Sequence, residues 1–136
     1  MQPVERVLPL IARAAKRAGQ RMLVVAEDSS LLDRLDKGLW EHFPEDYLAH
    51  GRAGAPHAVR QPVLLSSDCV AANGATVVAL ADGRWRPEAE ALDRVLLLFD
   101  ESGRAASRAV WRLFDQREDV TREFHELEGG KWVQKA

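Results

Sequence analysis

A chain of 136 residues with 46% apolar and 29% charged side chains is sized for one folded domain, 1–136, whose core needs no disulfide or metal. Its 19 Lys and Arg against 21 Asp and Glu leave a formal net charge of −2, so the whole chain has no electrostatic pull toward nucleic acid or anionic lipid, although a local basic patch stays open. The single cysteine, Cys69, excludes an internal disulfide and a thiolate metal site. With no signal-peptide pattern at the start and no apolar run near the ~20 residues of a membrane span, the reading is a cytoplasmic protein with no membrane partner.

Val4, Val7, Leu8, Ile11, Ala14, Ala15 and Ala18 recur at helical spacing opposite Arg13, Lys16 and Arg17, which predicts an amphipathic helix over 4–18, stopped by Gly19. The run over 21–26 predicts a strand buried on both faces of a sheet. Asp28, Ser29 and Ser30 are N-cap candidates for a second helix reaching Glu41, with Leu31, Leu32, Leu35 and Leu39 inward and Pro44 as its stop. Residues 44–60 read as a loop holding at most a short strand near 47–49. Strands follow at 62–66, 76–80 and 94–99, separated by the Asn73-Gly74 and Asp82-Gly83 turns and by a short helix after Pro87. A long helix over 102–117 and a strand over 120–127 complete the pattern, with Gly129-Gly130-Lys131-Trp132 as a tail. This order predicts an α/β fold: a single layered domain with a mostly parallel or mixed central sheet and helices on both faces.

Most familiar chemistry is missing. Leu96-Leu97-Leu98-Phe99-Asp100-Glu101 has the form of a magnesium-binding strand end, but no glycine-rich loop ending in Gly-Lys-Ser or Gly-Lys-Thr accompanies it, and the acids read instead as solvated residues opening a helix. No strand leads into Gly-x-Gly-x-x-Gly, and His42, His50, His57 and His125 fall at no paired-ligand spacing. Ser66, Ser67, Asp68 and His50 lack the Gly-x-Ser-x-Gly turn of a hydrolase. No cofactor, metal or catalytic residue is expected. The reading is a non-catalytic protein-binding protein; a small α/β enzyme with an unrecognised site is the alternative.

The tryptophans carry the most information. At ~100° per residue, Ala106, Ala109, Val110 and Leu113 cluster on one side of the long helix, and Arg104, Arg108, Trp111 and Arg112 cluster nearly opposite. Such a face suits an acidic, aromatic peptide, because Arg and Trp are enriched at binding hot spots and Arg grips carboxylates bidentately. The same spacing also fits Trp111 lying under arginine side chains or the C-terminal tail, or stacking on single-stranded nucleic acid. Trp40 lies more than ~90° from the leucine stripe of the second helix, near Asp33, Asp36 and Lys37. With Tyr47 it marks either a second partner surface or a satellite core.

Several segments, in order, resemble a known family over nearly the whole chain. They are Gly19-Gln20-Arg21-Met22-Leu23-Val24-Val25, Leu35-Asp36-Lys37-Gly38-Leu39-Trp40, Tyr47-Leu48-Ala49-His50-Gly51, Gln61-Pro62-Val63-Leu64-Leu65 and Asn73-Gly74-Ala75. Later come Arg94-Val95, Phe99-Asp100, Ser107-Arg108-Ala109-Val110-Trp111-Arg112 and Gly129-Gly130-Lys131-Trp132. Together they resemble the chi subunit of bacterial DNA polymerase III. The resemblance implies an α/β accessory subunit with no polymerase active site, bound to the clamp loader through its partner psi. It also implies contact with the acidic, aromatic C-terminal tail of the single-stranded DNA-binding protein, so that nucleic acid is met only indirectly. By position it implies that Arg108, Trp111 and Arg112, with Arg104 on the same face, receive the tail, and that Trp40, Tyr47 and His50 belong to the interface with psi or another partner. The chain departs from the family at Tyr47-Leu48-Ala49-His50, where Phe-x-Pro-His is usual, and at its start, where the family has a strand before the first helix. A helix feeding a buried strand is half of a strand, helix, strand unit. The expectation is therefore a chain that begins earlier in nature, with an inner strand edge left unpaired here.

Overall fold

The structure, a computed structural model, describes residues 3–46, 48–123, 125–128 and 131–135. Helix α1, Val4–Arg17, ends in a Schellman turn: Gly19 takes φ +70°, Gln20 N–H donates to the Ala15 carbonyl at 2.9 Å, and Gly19 N–H to that of Lys16 at 3.1 Å. The chain then enters strand β1, Met22–Val25, buried at every position. Helix α2, Ser29–Glu41, starts on Asp28, whose carboxylate accepts from Ser30 N–H at 2.9 Å. Strands β2 (His50–Arg52), β3 (Val63–Ser66), β4 (Val77–Leu80) and β5 (Arg94–Leu97) complete a five-stranded sheet in the order β2-β3-β1-β4-β5, all parallel.

Alternation along the strands splits the core into two layers. Met22, Val24, Val63, Leu65, Val77 and Ala79 face α1 and α2, meeting Leu8, Ala12, Leu32, Leu35 and Leu39. Leu23, Val25, Leu64, Val78 and Leu80 point the other way, where Trp85, Ala89 of a 3-10 turn over Pro87–Ala91, and Leu92 cover them. Helical cover thus lies on both faces, as α-helix on one and 3-10 turn on the other.

Four expectations change. The short strand forms at His50–Arg52; of the expected 47–49, Tyr47 lies outside the described residues and Leu48 is drawn into the core at 3% exposure before the ladder begins. The last helix, α3, is only Arg104–Arg112. Beyond it the backbone tightens into i to i−3 bonds through Arg117, whose guanidinium pairs with Asp119 at 2.7 Å and with Glu90. Such i to i−3 bonds are the tighter 3-10 turn that commonly closes an α-helix, so the regular helix stops five residues short of the expected end at 117. In place of one strand over 120–127, β6 (His125–Glu128) and β7 (Lys131–Gln134) form an antiparallel hairpin that takes Lys131 and Trp132 out of the expected tail. The inner edge expected to lack a partner is also filled: β1 pairs β3 on one side and β4 on the other, and the outer strands are β2 and β5.

Candidate functional site

Helix α3 sits differently from its sequence pattern. Ala106 and Ala109 are exposed, Leu113 is 63% exposed and Val110 half-buried, whereas Ser107 is buried and Phe114, just past the helix end, is 8% exposed. The buried side is thus turned by roughly 110° from the one that apolar counting selects. Phe114 sets it. Its ring meets Trp85 edge-on at 5.1 Å between centroids, and a buried aromatic contact of this size outweighs the small area that two alanines offer.

The four residues expected to bind a partner still share one flank. Arg104 and Trp111 form its half-buried inner edge, and Arg108 and Arg112 its exposed outer edge. Arg108 and Arg112 have no acidic partner among the described residues, so two guanidinium groups one turn apart face water. Trp111 is covered in part by Arg122, whose guanidinium carbon stands 4.8 Å from the ring centroid. The same guanidinium donates to the Trp111 carbonyl and, at 2.8 Å, to the Asp115 carboxylate. Sequence spacing does not indicate Arg122, because the chain must reverse after α3 to bring it over the ring.

The second constellation lies across α2 and β2. Trp40, 51% exposed, rests against the His50 ring at 4.5 Å between centroids. His50 is buried, with Nδ1 2.8 Å from the Leu48 carbonyl and Nε2 2.6 Å from Asp36 Oδ1. Arg52 extends the cluster, donating to Asp33 at 2.9 Å. Trp40 and His50, ten positions apart in sequence, therefore form one surface with Asp36 as its polar anchor; Tyr47 lies outside the described residues.

The other candidates are occupied by structural roles. Asp100 accepts from the Ser102 hydroxyl at 2.5 Å and from Gly103 N–H at 3.3 Å, and the hydroxyl holds its carboxyl below the usual range. It caps the turn into α3. Above the carboxyl ends of β1 and β4, where open α/β sheets place ligands, Asp82 holds Arg86 through two bonds of 2.8 and 2.9 Å and accepts Glu27 N–H, while Arg84 pairs with Glu27. Burial, reinforced by the Glu88 carboxylate, pushes the Cys69 thiol up; Arg86 opposes it. Among the described residues no three His, Cys, Asp or Glu side chains converge as metal ligands, and no helix is long and apolar enough to cross a membrane.

A family model described as DNA polymerase III chi subunit, HolC, matches residues 1–120, a span that includes α3 and the Trp40 and His50 surface and stops short of Arg122 and the hairpin. Comparison with curated proteins finds no match. The chain belongs to the DNA polymerase III chi family, an accessory subunit of that polymerase, as its sequence resemblance implies.

Proposed function

We propose that this chi-family chain is a non-catalytic cytoplasmic adaptor of one domain, 1–136, that joins the clamp-loader complex to single-stranded DNA-binding protein during replication. One surface takes the acidic C-terminal tail of that protein: Arg108 and Arg112 receive carboxylates, Trp111 packs beside the tail's aromatic residue, and Arg104 lines the inner edge. The other surface, built on Trp40 and His50 with Tyr47, takes psi or another partner of the clamp loader. No cofactor takes part. The observation that carries the reading is the pair of exposed guanidinium groups, Arg108 and Arg112, left without an acidic partner among the described residues beside a half-buried tryptophan. Unpaired arginine next to an aromatic ring adds little to a monomer but is what a desolvated carboxylate contact uses. Titrating a peptide of the tail sequence into the protein tests it. Arg108→Ala should cost about 2 kcal/mol of binding, as a charged hot-spot contact does, and an unchanged titration curve overturns the assignment.

A further inference from the structure

Charge is distributed unevenly along this chain. Residues 3–21 carry five cations, Arg6, Arg13, Lys16, Arg17 and Arg21, against one carboxylate, Glu5, so the net charge of −2 conceals a basic N-terminal segment. Three of them share a line. With Leu10, the residues Arg6, Arg13 and Arg17 lie within roughly 60° of one another on α1, directly opposite the side that buries Leu8, Ala12 and Ala15. Arg6 and Arg17 are exposed and have no acidic partner among the described residues. Glu5, beside them, leans away toward Arg34 at 3.8 Å. The fold gains nothing electrostatic from Arg6, which stands in the first turn of α1, where the helix dipole favours acids.

Between Arg6 and Arg17 the strip carries a flat stacking element. The Arg13 guanidinium lies 3.7 Å from the centroid of the Phe43 ring. Phe43 takes φ +51°, a left-handed backbone that disfavours a bulky residue and that recurs where geometry serves a site. We propose that this outward strip of α1 binds a single strand of nucleic acid, with Arg6, Arg13 and Arg17 on phosphates and the Arg13–Phe43 stack beneath a base. The helical rise separates Arg6 from Arg13 by about 10 Å and Arg13 from Arg17 by about 6 Å, so three long side chains on one line can reach phosphates of a strand running along the helix. A linear row of cations matches a polyanion better than a folded acidic protein. With Leu10 as the one apolar residue in the row, the strip has no hydrophobic face to sink into lipid. This surface is separate from the tail site, since α1 packs on one core layer while Phe114, at the end of α3, meets Trp85 of the other.

The test is anisotropy of a fluorescein-labelled oligothymidine titrated with the full chain over a series of salt concentrations. Binding should weaken with salt along a log–log slope of about −2, as for three phosphates on a single strand. The double variant Arg6→Gln/Arg17→Gln, altered only at exposed positions, should keep the parental melting temperature, bind at least ~10-fold more weakly at low salt and show a slope shallower by about 1.4. Phe43→Leu should weaken binding and leave the slope alone, because it removes stacking and no charge. The proposal is overturned by no binding, by a double variant that binds like the parent, by an equal preference for duplex, or by capture on phosphatidylserine vesicles without oligonucleotide binding. Titration of the tail peptide keeps the two surfaces apart. The double variant should bind the peptide as the parent does, and a parallel loss would assign the strip to the tail and refute a nucleic-acid site.

Discussion

Replacing Gly38 by alanine sets two effects of opposite sign against each other. In an exposed helix the change stabilises by about 1 kcal/mol, because glycine loses the most conformational freedom on folding. Here Gly38 is buried inside α2, and a Cβ would stand 2.9 Å from the Glu5 carbonyl oxygen of α1. That oxygen belongs to backbone and cannot rotate aside. It is also the carbonyl that Pro9, four residues on and lacking an N–H, cannot reach with a helical hydrogen bond, so the two helices meet closely where α1 leaves an acceptor open. Relieving the overlap means moving α1 off α2 and loosening Leu8, Ala12, Leu35 and Leu39, none more than 1% exposed. Overpacking of this kind costs about 1–3 kcal/mol, which exceeds the propensity gain and leaves a net loss of about 1 kcal/mol. For a chain of this size the melting temperature should fall by roughly 4 °C, read by circular dichroism and checked by urea titration. A Gly38→Ala protein that melts at or above the parent would show that the helices part freely, and the reasoning about their contact would be wrong.

Asp82→Asn should destabilise by about 3 kcal/mol in urea, since it strips the partner from Arg86, whose side chain is 15% exposed, and weakens the acceptor for Glu27 N–H; a change under ~0.5 kcal/mol would mean that the pair contributes no more than a surface one. Trp40→Ala, at a residue 51% exposed, should leave the fold and the affinity for the tail peptide intact while weakening a different protein contact, and a variant that simply unfolds would make Trp40 core. Ser102→Ala should raise the titration of the Asp100 carboxyl in an NMR pH series. The hydroxyl depresses it, so the stability it lends is present above the ordinary carboxylate range and lost as pH falls through the depressed value; an unmoved titration would assign the depression to the backbone donors.

The sheet and its first two helices were legible because each is decided by local pattern. Four apolar residues in a row at Met22–Val25 leave no polar face to send to solvent, which demands a central strand, and the chain places β1 between two partners. Gly19 and Asp28 mark a helix end and a helix start through backbone chemistry that needs no distant partner. Long-range pairing was not legible. The inference of an unpaired inner edge took β1 to need a partner from upstream, whereas the crossover from β3 to β4 carries the chain across β1 and fills that edge from downstream. Likewise nothing local announces that Arg117 will pair with Glu90, 27 residues back in the chain.

The site divides along the same line. Angular relations within a helix depend on its turn alone, so the grouping of Arg104, Arg108, Trp111 and Arg112 survives whatever the helix packs against. The direction in which the group points depends on the heaviest contact the helix makes, and that is an aromatic pair with Trp85, far back in the chain. A count that weighs Ala106 and Ala109 equally with Phe114 therefore finds the group and misplaces its exposure. The error bears on chemistry: a Trp111 facing water would be a bare platform, whereas a half-buried Trp111 with Arg122 across it presents its ring only to a partner that can share or displace a guanidinium. An acidic segment carrying an aromatic side chain, as proposed for the tail, would meet that condition twice: its carboxylate would compete with Asp115 for Arg122 and its ring with Arg122 for Trp111.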